Sequence, residues 1–304
     1  MAESSNGSTS SAYRPRRSVL YMPAANERAL EKAKTLPTDG LILDLEDAVA
    51  PDAKAAARER ACAAAAGGGY GNREVTIRVN GMDTQWFADD IRAVAAAGPH
   101  AVVVPKVSSA DEVHAIEAAL EAAGAPDRTA IWAMVETPIA MLRVDQIAGA
   151  SQRLTVLVMG TNDLAKELHA EHVPGRQPLL VGLGLCLLAA RATGTAILDG
   201  VYNDVKNLEG FAAECRQGLE LGFDGKTLIH PGQVVPCNEI FAPTPEQIAE
   251  AQTIVKVWQE TLAAGLGVVT INGRMIENLH FENARRILDT SAAIEALQAT
   301  AAAG

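Results

Sequence analysis

Aromatic residues and cysteines are scarce in this chain of 304 residues. Aromatic side chains account for 4% of the sequence and hydrophobic residues for 48%, so aliphatic side chains must form most of the core. That composition favours helices packed on a buried parallel sheet over an all-β sandwich. The four cysteines form no C-x-x-C pair, which predicts reduced thiols; they are Cys62, Cys186, Cys215 and Cys237.

Long apolar runs are also absent. A membrane-spanning helix needs about 18 apolar residues, and the most apolar segment, Leu179–Ala190, is short enough to be a buried helix. Residues 1–13 are polar and rich in serine and lack the apolar core of an export signal, so we interpret them as a disordered tail. These features predict a cytoplasmic protein that does not bind a membrane.

Positive charge is in deficit, because the net charge is −11. Such a surface argues against non-specific binding to nucleic acids, although a local basic pocket can still hold phosphate groups. The first apolar strand is not followed by a G-x-G-x-x-G motif, and Gly67–Gly69 follows a helix and is interpreted as a loop. The absence of a G-x-S-x-G motif disfavours a serine hydrolase.

Short apolar segments alternate with helical segments along most of the chain. Eight of them are predicted as strands: Ser18–Met22, Leu41–Leu45, Val75–Val79, Ala101–Val104, Ala130–Val135, Leu154–Met159, Ala196–Leu198 and Gly225–Ile229. Strands that are apolar throughout and joined by helices are typical of a parallel sheet covered on both faces. Eight such units predict an α/β fold, a (β/α)8 TIM barrel over residues 14–242, with a doubly wound open sheet as the alternative.

The chain continues beyond the eighth predicted strand. Periodicity predicts a helix over Pro245–Ala264, and the Asn272-Gly273 pair predicts the turn of a β-hairpin. A last helix is expected over about Asn278–Leu297. We interpret residues 243–304 as a C-terminal helical and hairpin extension that covers a site or packs on a neighbouring subunit.

Two carboxylates follow adjacent predicted strands. In a TIM barrel the catalytic residues lie at the C-terminal ends of the strands, and Glu136 and Asp163 follow the fifth and sixth. Mg²⁺ takes one or two protein carboxylates together with water and substrate oxygens, so the pair is a candidate magnesium site. The alternative is that each carboxylate caps the helix after it. Lys106, after the fourth strand, is interpreted as a structural partner of the acidic residues.

Arg78 lies inside an apolar strand, where a guanidinium needs an anionic partner. Glu46 and Asp47, after the second strand, could supply that partner. Alternatively, Arg78 could hold a substrate carboxylate through its planar fork, and the pattern leaves both interpretations open. The pair His169 and His172 lies in a polar stretch after a helix, and we do not expect it to bind a metal.

Six segments together carry a family resemblance. They are RRSVLYMPA (Arg16–Ala24), LILDLEDAV (Leu41–Val49), VETPIA (Val135–Ala140), GTNDLAKEL (Gly160–Leu168), GKTLIHPGQV (Gly225–Val234) and GRMIENLHFENARR (Gly273–Arg286). In order and spacing the chain resembles the HpcH/HpaI aldolase and citrate lyase β-subunit superfamily, in its CoA-ester branch. The resemblance covers almost all of the chain from Arg14 to about Asp289.

The resemblance implies a set of site residues and a homo-oligomer, either a trimer or a dimer of trimers. Glu136 and Asp163 would bind Mg²⁺, with Mn²⁺ as a possible substitute, and Glu46 and Asp47 would order metal-bound water. Arg78 would contact the substrate, and the backbone of Gly160, Thr161 and Asn162 would hold a 2-oxoacid carboxylate. The residues implied along CoA are Arg17, Lys32, Lys226, Ile229, His230 and Pro231.

The resemblance also implies the chemistry. A lyase would cleave malyl-CoA or citramalyl-CoA, reversibly, into acetyl-CoA or propionyl-CoA and the 2-oxoacid glyoxylate or pyruvate. In the related lyases an Asp after a G-[KR]-M-[IV] pattern exchanges a proton with the acyl carbon, and here Glu277 occupies that position. An extra methylene displaces the carboxyl group by about 1 Å, which can strongly affect rate. Alternatively, Glu277 only caps the last helix.

Glu277 therefore opens a second hypothesis, a thioesterase in which water attacks the thioester of a malyl-CoA-type substrate. A third hypothesis is a citrate-lyase-like β-subunit that acts on an acyl-carrier protein. The negative net charge disfavours docking of an acidic carrier. The sequence does not separate the first two hypotheses.

Overall fold

A computed structural model describes the backbone of residues 14–301 and side chains up to residue 299. The predicted tail, residues 1–13, lies outside the described residues. The chain divides into two compact units, Arg16–Phe241 and a second unit from Ala242 onward. None of the described helices is both long and apolar enough to span a membrane.

The first unit is a closed barrel of eight parallel strands in sequential order. The strands are β1 (Ser18–Pro23), β2 (Gly40–Asp44), β3 (Glu74–Arg78), β4 (Ala101–Val104), β5 (Ala130–Val135), β6 (Leu154–Met159), β7 (Ala196–Asp199) and β8 (Gly225–Leu228). Strand β1 pairs with β8 in the register Val19 to Thr227, which closes the sheet. The predicted TIM barrel is confirmed, and the doubly wound alternative is wrong because an open sheet has two edges.

Helices connect the strands and cover the outside of the barrel. They are α1 (Glu27–Ala33), α2 (Lys54–Gly67), α3 (Phe87–Ala97), α4 (Ala110–Ala122), α5 (Pro138–Leu142), α6 (Val144–Ala148), α7 (Thr161–Glu167), α8 (Leu180–Thr193), α9 (Leu208–Leu221) and α10 (Val234–Phe241). The sequence predicts one helix over residues 139–147, but Arg143, at φ −122° and ψ 12°, separates α5 from α6. Short 3₁₀ turns precede α2, α8 and α10.

Alternate residues of each strand face the barrel interior and the surrounding helices. The interior cluster contains Val19, Ile42, Val103 and Val158 around the fully buried Trp132. Intervening residues such as Leu20, Leu41 and Ile77 belong to a larger cluster with the helices. Because both faces are buried, most of the strands are continuous apolar segments without polar–apolar alternation. Exceptions are β3, which contains buried Thr76, and β8, which contains buried Lys226 and Thr227.

The second unit contains two helices and a hairpin. Helices α11 (Pro245–Ala263) and α12 (Asn278–Ala301) pack together, and the rings of Trp258 and Phe281 stack with centroids 6.3 Å apart. Strands β9 (Val269–Ile271) and β10 (Arg274–Ile276) pair antiparallel. The predicted hairpin turn is present, because Asn272 and Gly273 adopt φ values of 50° and 78°.

Candidate active site

A cavity of about 390 Å³ opens at the C-terminal ends of the barrel strands. It collects most of the residues that the sequence predicts for the site. Its walls include Tyr21, Asp44, Asp47, Arg78, Met134, Glu136, Gly160, Thr161, Asn162, Asp163 and Ile229. Because the barrel is closed, the ends of its short strands bring together groups that are up to about two hundred positions apart in the sequence.

Alternate side chains of each strand point into the barrel, which explains which of them reach this cavity. Asp44 follows the interior residue Ile42 by two positions, and Arg78 lies in register with Asp44 and with the interior residue Val103. Residues in register on adjacent strands point to the same face. Asp44 and Arg78 therefore close the barrel interior at its catalytic end with a buried pair of opposite charges.

Arg78 is held by two carboxylates. Its Nε and Nη2 donate to Oδ1 and Oδ2 of Asp44 at 2.6 and 2.7 Å, and its Nη1 lies 2.6 Å from Oε2 of Glu46. Asp47 is more distant, at 3.8 Å. The guanidinium also lies over the ring of Tyr21, 4.9 Å from its centroid. The predicted ion pair with Glu46 is present, but the main anchor is Asp44, and Arg78 still borders the cavity.

Glu46 is a weakly solvated carboxylate beside this pair. Its Oε2 contacts Arg78 as an ion pair but without the angle of a hydrogen bond. Burial raises the pKa of Glu46, and the positive charge of Arg78 offsets part of the rise. A carboxylate with a raised pKa is a stronger base once ionised, so Glu46 is chemically suited to accept a proton. Asp47 is largely exposed at the cavity wall.

Glu136 is almost fully buried, with 2% of its surface exposed. Its Oε1 accepts a hydrogen bond from the backbone N–H of Lys106 at 2.8 Å. Lys106 has a left-handed backbone, with φ 57°, which is unusual for a residue with a side chain. Burial, followed by the nearby charges of Asp163 and Glu46, raises the pKa of Glu136 to about 8. The positive charges near Glu136 are therefore too few to stabilise its ionised carboxylate.

The helix-capping alternatives for Glu136 and Asp163 are wrong. Thr137, not Glu136, caps α5 through a hydrogen bond from the backbone N–H of Ala140. Helix α7 begins after Gly160 and has no side-chain cap. Asp163 lies in the first turn of α7 and faces the same cavity as Glu136.

This donor set fits a divalent cation. Two carboxylates, one of them buried with a raised pKa, face one cavity, and a cation between them would compensate their mutual repulsion. The described residues contain no cluster of three or more His, Cys, Asp or Glu suited to a metal. Mg²⁺ typically binds one or two protein carboxylates and takes water or substrate oxygens as its other ligands, so two carboxylates are sufficient for such a site.

The loop that begins α7 is fixed by close packing. A Cβ on Gly160 would overlap the Glu136 side chain, and a Cβ on Gly200 would overlap Thr161. Asn162 and Asn203 exchange two hydrogen bonds through their amide groups, at 3.1 and 2.8 Å. The sequence prediction names Gly160, Thr161 and Asn162 for substrate binding, and all three line the cavity.

Two predicted CoA contacts lie elsewhere and need correction. Arg17 precedes β1, at the N-terminal end of the barrel, and its guanidinium pairs with buried Asp39 at 2.8 Å. Lys226 is fully buried near the start of β8, and its Nζ lies 3.0 Å from Asp199 and 2.7 Å from Glu214. Both charges are used in buried ion pairs, so neither side chain is placed to contact CoA at the catalytic end.

The other residues predicted along CoA remain accessible. Lys32 is exposed in the last turn of α1, and Ile229 is exposed at the cavity wall. His230 and Pro231 follow β8, and the imidazole of His230 accepts a hydrogen bond from the N–H of Gly232. Their contact with CoA stays a prediction.

Glu277 is described within the second unit. Its backbone carbonyl accepts from the N–H groups of His280 and Phe281 at the start of α12. Its side chain is exposed and makes no hydrogen bond to any residue in the described part of the chain. The alternative that this carboxylate caps the last helix is therefore not realised.

Sequence reasoning missed three features of the site. It missed the role of Asp44 as the anchor of Arg78, although Asp44 follows the interior residue Ile42 by two positions and so is expected to point inward. It missed Tyr21, which lies two positions after the interior residue Val19 and therefore also points inward. The left-handed backbone of Lys106 could not be predicted from the sequence, because residues with such a φ are usually glycine or asparagine and not lysine.

Comparison with known proteins gives concordant matches. The family described as HpcH/HpaI aldolase/citrate lyase matches residues 17–231, and the family C-C_Bond_Lyase of the TIM-Barrel fold matches residues 184–294. A protein named (3S)-malyl-CoA thioesterase from Cereibacter sphaeroides is 48% identical over 286 residues, 94% of this chain and 98% of its own. Citrate lyase subunit beta of Escherichia coli is 35% identical, over 90% of this chain and 93% of its own.

Two solved structures are similar. Mycobacterium tuberculosis CitE, crystallised with magnesium, acetoacetate and coenzyme A, has a TM-score of 0.74 and 27% identity, covering 92% of this chain and 99% of that one. A citrate lyase from Burkholderia xenovorans has a TM-score of 0.80 at 20% identity, covering 93% and 94%, and supports the fold alone.

Proposed function

Because the chain belongs to the HpcH/HpaI aldolase/citrate lyase family, we propose that it is a Mg²⁺-dependent enzyme that hydrolyses the thioester of a malyl-CoA-type substrate. The observation that carries this proposal is the 48% identity, along 94% of the chain, to proteins named (3S)-malyl-CoA thioesterase. The resemblance places the lyase first and the thioesterase as the alternative, although the sequence itself does not separate the two. The names of these relatives support the thioesterase.

The proposed metal ligands are Glu136 and Asp163. The pKa of about 8 for Glu136 without a cation supports this assignment, because a bound cation would stabilise the ionised carboxylate. Mg²⁺ bound there supplies Lewis acidity toward a substrate oxygen, and Mn²⁺ is a chemically similar substitute. The magnesium and coenzyme A named for the Mycobacterium tuberculosis structure support the same assignment.

Arg78 is proposed to stabilise negative charge on the substrate. Its Nε and Nη2 are fixed by Asp44, so the guanidinium is oriented before substrate binds. Each Nη nitrogen has two N–H groups, and Arg78 borders the cavity. A preorganised donor of this kind stabilises the oxyanion that develops on a thioester carbonyl when water attacks it.

Glu46 and Asp47 are proposed to position and deprotonate that water. Its oxygen forms a bond to the thioester carbon, its proton passes to a carboxylate, and the C–S bond then breaks. The raised pKa of Glu46 favours proton uptake. The proton finally reaches the sulfur of CoA, which leaves as a thiol together with free malate.

The backbone at Gly160, Thr161 and Asn162 is proposed to hold the substrate carboxylate. Lys32, Ile229, His230 and Pro231 remain the proposed contacts with CoA. Lys32 and His230 are exposed, and Ile229 borders the cavity. CoA bound by these residues would lie near β1 and β8, which are neighbours in the barrel.

A lyase is the second candidate. The match to a C–C bond lyase family over residues 184–294 includes Glu277, and the citrate lyase relatives support the same chemistry. Glu277 would then exchange a proton with the acyl carbon while the bond to the 2-oxoacid breaks. Its exposed carboxylate, which makes no hydrogen bond within the described residues, is consistent with such a role.

We further propose that the protein is a homo-oligomer in which the C-terminal extension covers a site or a neighbouring subunit. Val181 and Leu188 on α8 and Leu142 on α5 are each more than 70% exposed. Apolar side chains grouped on one surface are typical of an interface between subunits. Light scattering of the purified protein tests this, because a monomer at micromolar concentration contradicts it. A cytoplasmic location also stays a prediction.

The deciding experiment follows two products from (3S)-malyl-CoA with Mg²⁺. Free thiol without glyoxylate supports the thioesterase, and glyoxylate without thiol supports the lyase. Glu277→Gln should abolish only the lyase reaction. Full activity in EDTA, or in Asp163→Ala, would contradict the proposed magnesium site. If neither product forms from (3S)-malyl-CoA or citramalyl-CoA, both assignments are wrong.

A further inference from the structure

A second polar cavity lies at the N-terminal end of the barrel, opposite to the candidate active site. It has a volume of about 210 Å³ and lies between the loops that lead into β3, β4 and β5. The segment Gly68–Gly71 and the side chains of Arg73, His100 and Arg128 form much of its wall, and no Asp or Glu lines it. Such a lining is unusual in a chain whose net charge is −11.

Arg73 is the buried cation of this cavity, with 8% of its surface exposed. Its Nε donates to the carbonyl of Leu36 at 2.7 Å and its Nη1 to the carbonyl of Tyr70 at 2.9 Å. Its Nη2 makes no hydrogen bond, and the guanidinium no ion pair, to any residue that the structure describes. Burial lowers the pKa of Arg73, and no carboxylate offsets that effect. A buried guanidinium usually has an anionic partner.

The nearby carboxylates are already neutralised by other cations. Glu74, the next residue, accepts two hydrogen bonds from Arg16, at 2.6 and 3.0 Å. Glu31 pairs with Lys34 at 2.6 Å beside the cavity loop. Among residues 14–299, no carboxylate therefore remains to pair with Arg73.

Arg128 provides the second guanidinium. Its Nη2 donates to the carbonyl of Gly98 at 3.0 Å, and within residues 14–299 it forms no ion pair. The opposite wall is a loop in which Gly68, Gly69 and Gly71 have φ values of 70°, 85° and 59°. Backbone without Cβ atoms can approach a bound ion closely, and successive N–H groups in such loops bind anions.

We propose that this cavity binds the phosphate group of a small ligand, either inorganic phosphate or a small phosphate monoester. A dianion balances two guanidiniums, and the planar fork of arginine fits phosphate oxygens. The site is distinct from the catalytic cavity, because the length of the barrel strands separates the two by roughly 15 Å. It would give the enzyme a ligand other than its CoA substrate.

Calorimetric titration of the full chain with inorganic phosphate, in EDTA and at constant ionic strength, tests the proposal. We expect saturable binding of one phosphate per chain. Arg128→Gln should weaken it about tenfold or more, because one charged hydrogen-bond donor is lost, and Arg73→Gln should abolish it. The matched control is Arg216→Gln, which removes a charge from an exposed position on α9 and should change nothing. A tighter dissociation constant for glycerol 3-phosphate would identify the ligand as a monoester, and a weaker one as free phosphate.

Three outcomes overturn the proposal. The first is no saturable binding by the wild-type chain. The second is binding that is unchanged in Arg128→Gln, a surface variant that is expected to fold even if Arg73→Gln does not. The third is binding that is lost only in Arg78→Gln, which would place the phosphate in the catalytic cavity.

Discussion

Replacing Gly160 by alanine tests how the structure fixes the proposed metal ligand. The new Cβ would overlap the Cβ and Oε2 of Glu136 and lie 2.9 Å from its carboxyl carbon. Glu136 would have to move and would lose its 2.8 Å hydrogen bond from the N–H of Lys106. Overpacking in a dense interior costs about 1–3 kcal/mol. Without metal, Glu136 is mostly protonated at pH 7 because its pKa is about 8, and a hydrogen bond to a neutral group contributes about 0.5–1.5 kcal/mol.

The expected result for Gly160→Ala is a loss of about 1.5–4.5 kcal/mol in the free energy of unfolding, measured by urea denaturation at pH 7 in EDTA. Mg²⁺ affinity, measured by calorimetry, should fall by about 10- to 100-fold, since the orientation of the Glu136 carboxylate is disturbed. Gly184→Ala is the matched control. No atom lies within 4 Å of its added Cβ, so it should stabilise α8 by about 0.5–1 kcal/mol. Unchanged Mg²⁺ affinity in Gly160→Ala would refute the reasoning.

Three further predictions follow from buried charges. Without metal, the pKa of Glu136 is about 8 instead of 4.5, so its contribution to stability is present at low pH and is lost as the pH rises through that range. The Tm in EDTA should therefore fall between about pH 5 and pH 8.5, and a flat profile, or the same fall in Glu136→Gln, would contradict this. Arg17→Gln should lower the free energy of unfolding by about 3–5 kcal/mol and leave the KM for the CoA ester unchanged. Lys32→Ala should instead raise that KM with little loss of stability. A raised KM in Arg17→Gln together with an unchanged KM in Lys32→Ala would show that Arg17 does contact CoA. Asp44→Asn, which leaves Arg78 without its main anion, should destabilise the fold by about 3 kcal/mol, and a change within about 0.5 kcal/mol would show that the pair is dispensable.

The barrel could be predicted because its strands are buried on both faces. Ala101–Val104 and Leu154–Met159 read as continuous apolar segments and are observed with the predicted limits. That Glu136 and Asp163 face one cavity could be predicted, because strand order alone brings the ends of β5 and β6 together; their role as metal ligands stays a prediction. The break between α5 and α6 left no comparable signal, since Arg143 is compatible with a helix by propensity.

The errors in the site have physical causes. Arg17 precedes its strand, so the rule that places catalysis at the opposite strand ends already argued against it. Lys226 is near the start of β8, and its partners Asp199 and Glu214 lie on β7 and α9, the two elements before it. Strand order makes these elements neighbours, but residue types alone do not determine the strand register that brings the three side chains together. The roles of Asp44 and Lys106 depend on side-chain distances and on one backbone angle, which residue types alone do not determine.

The two units each contain one buried tryptophan. Trp132 fills the barrel interior, and Trp258 packs against Phe281 between α11 and α12. Neither indole N–H has a hydrogen-bond partner within the described residues, so both rings emit from apolar surroundings and will shift to longer wavelength when exposed to water. The third tryptophan, Trp86, also lies in the barrel unit. With Trp86 and one of the two buried rings both replaced by phenylalanine, the remaining ring is the single reporter, and intrinsic fluorescence can then show whether the barrel and the extension melt together or in sequence.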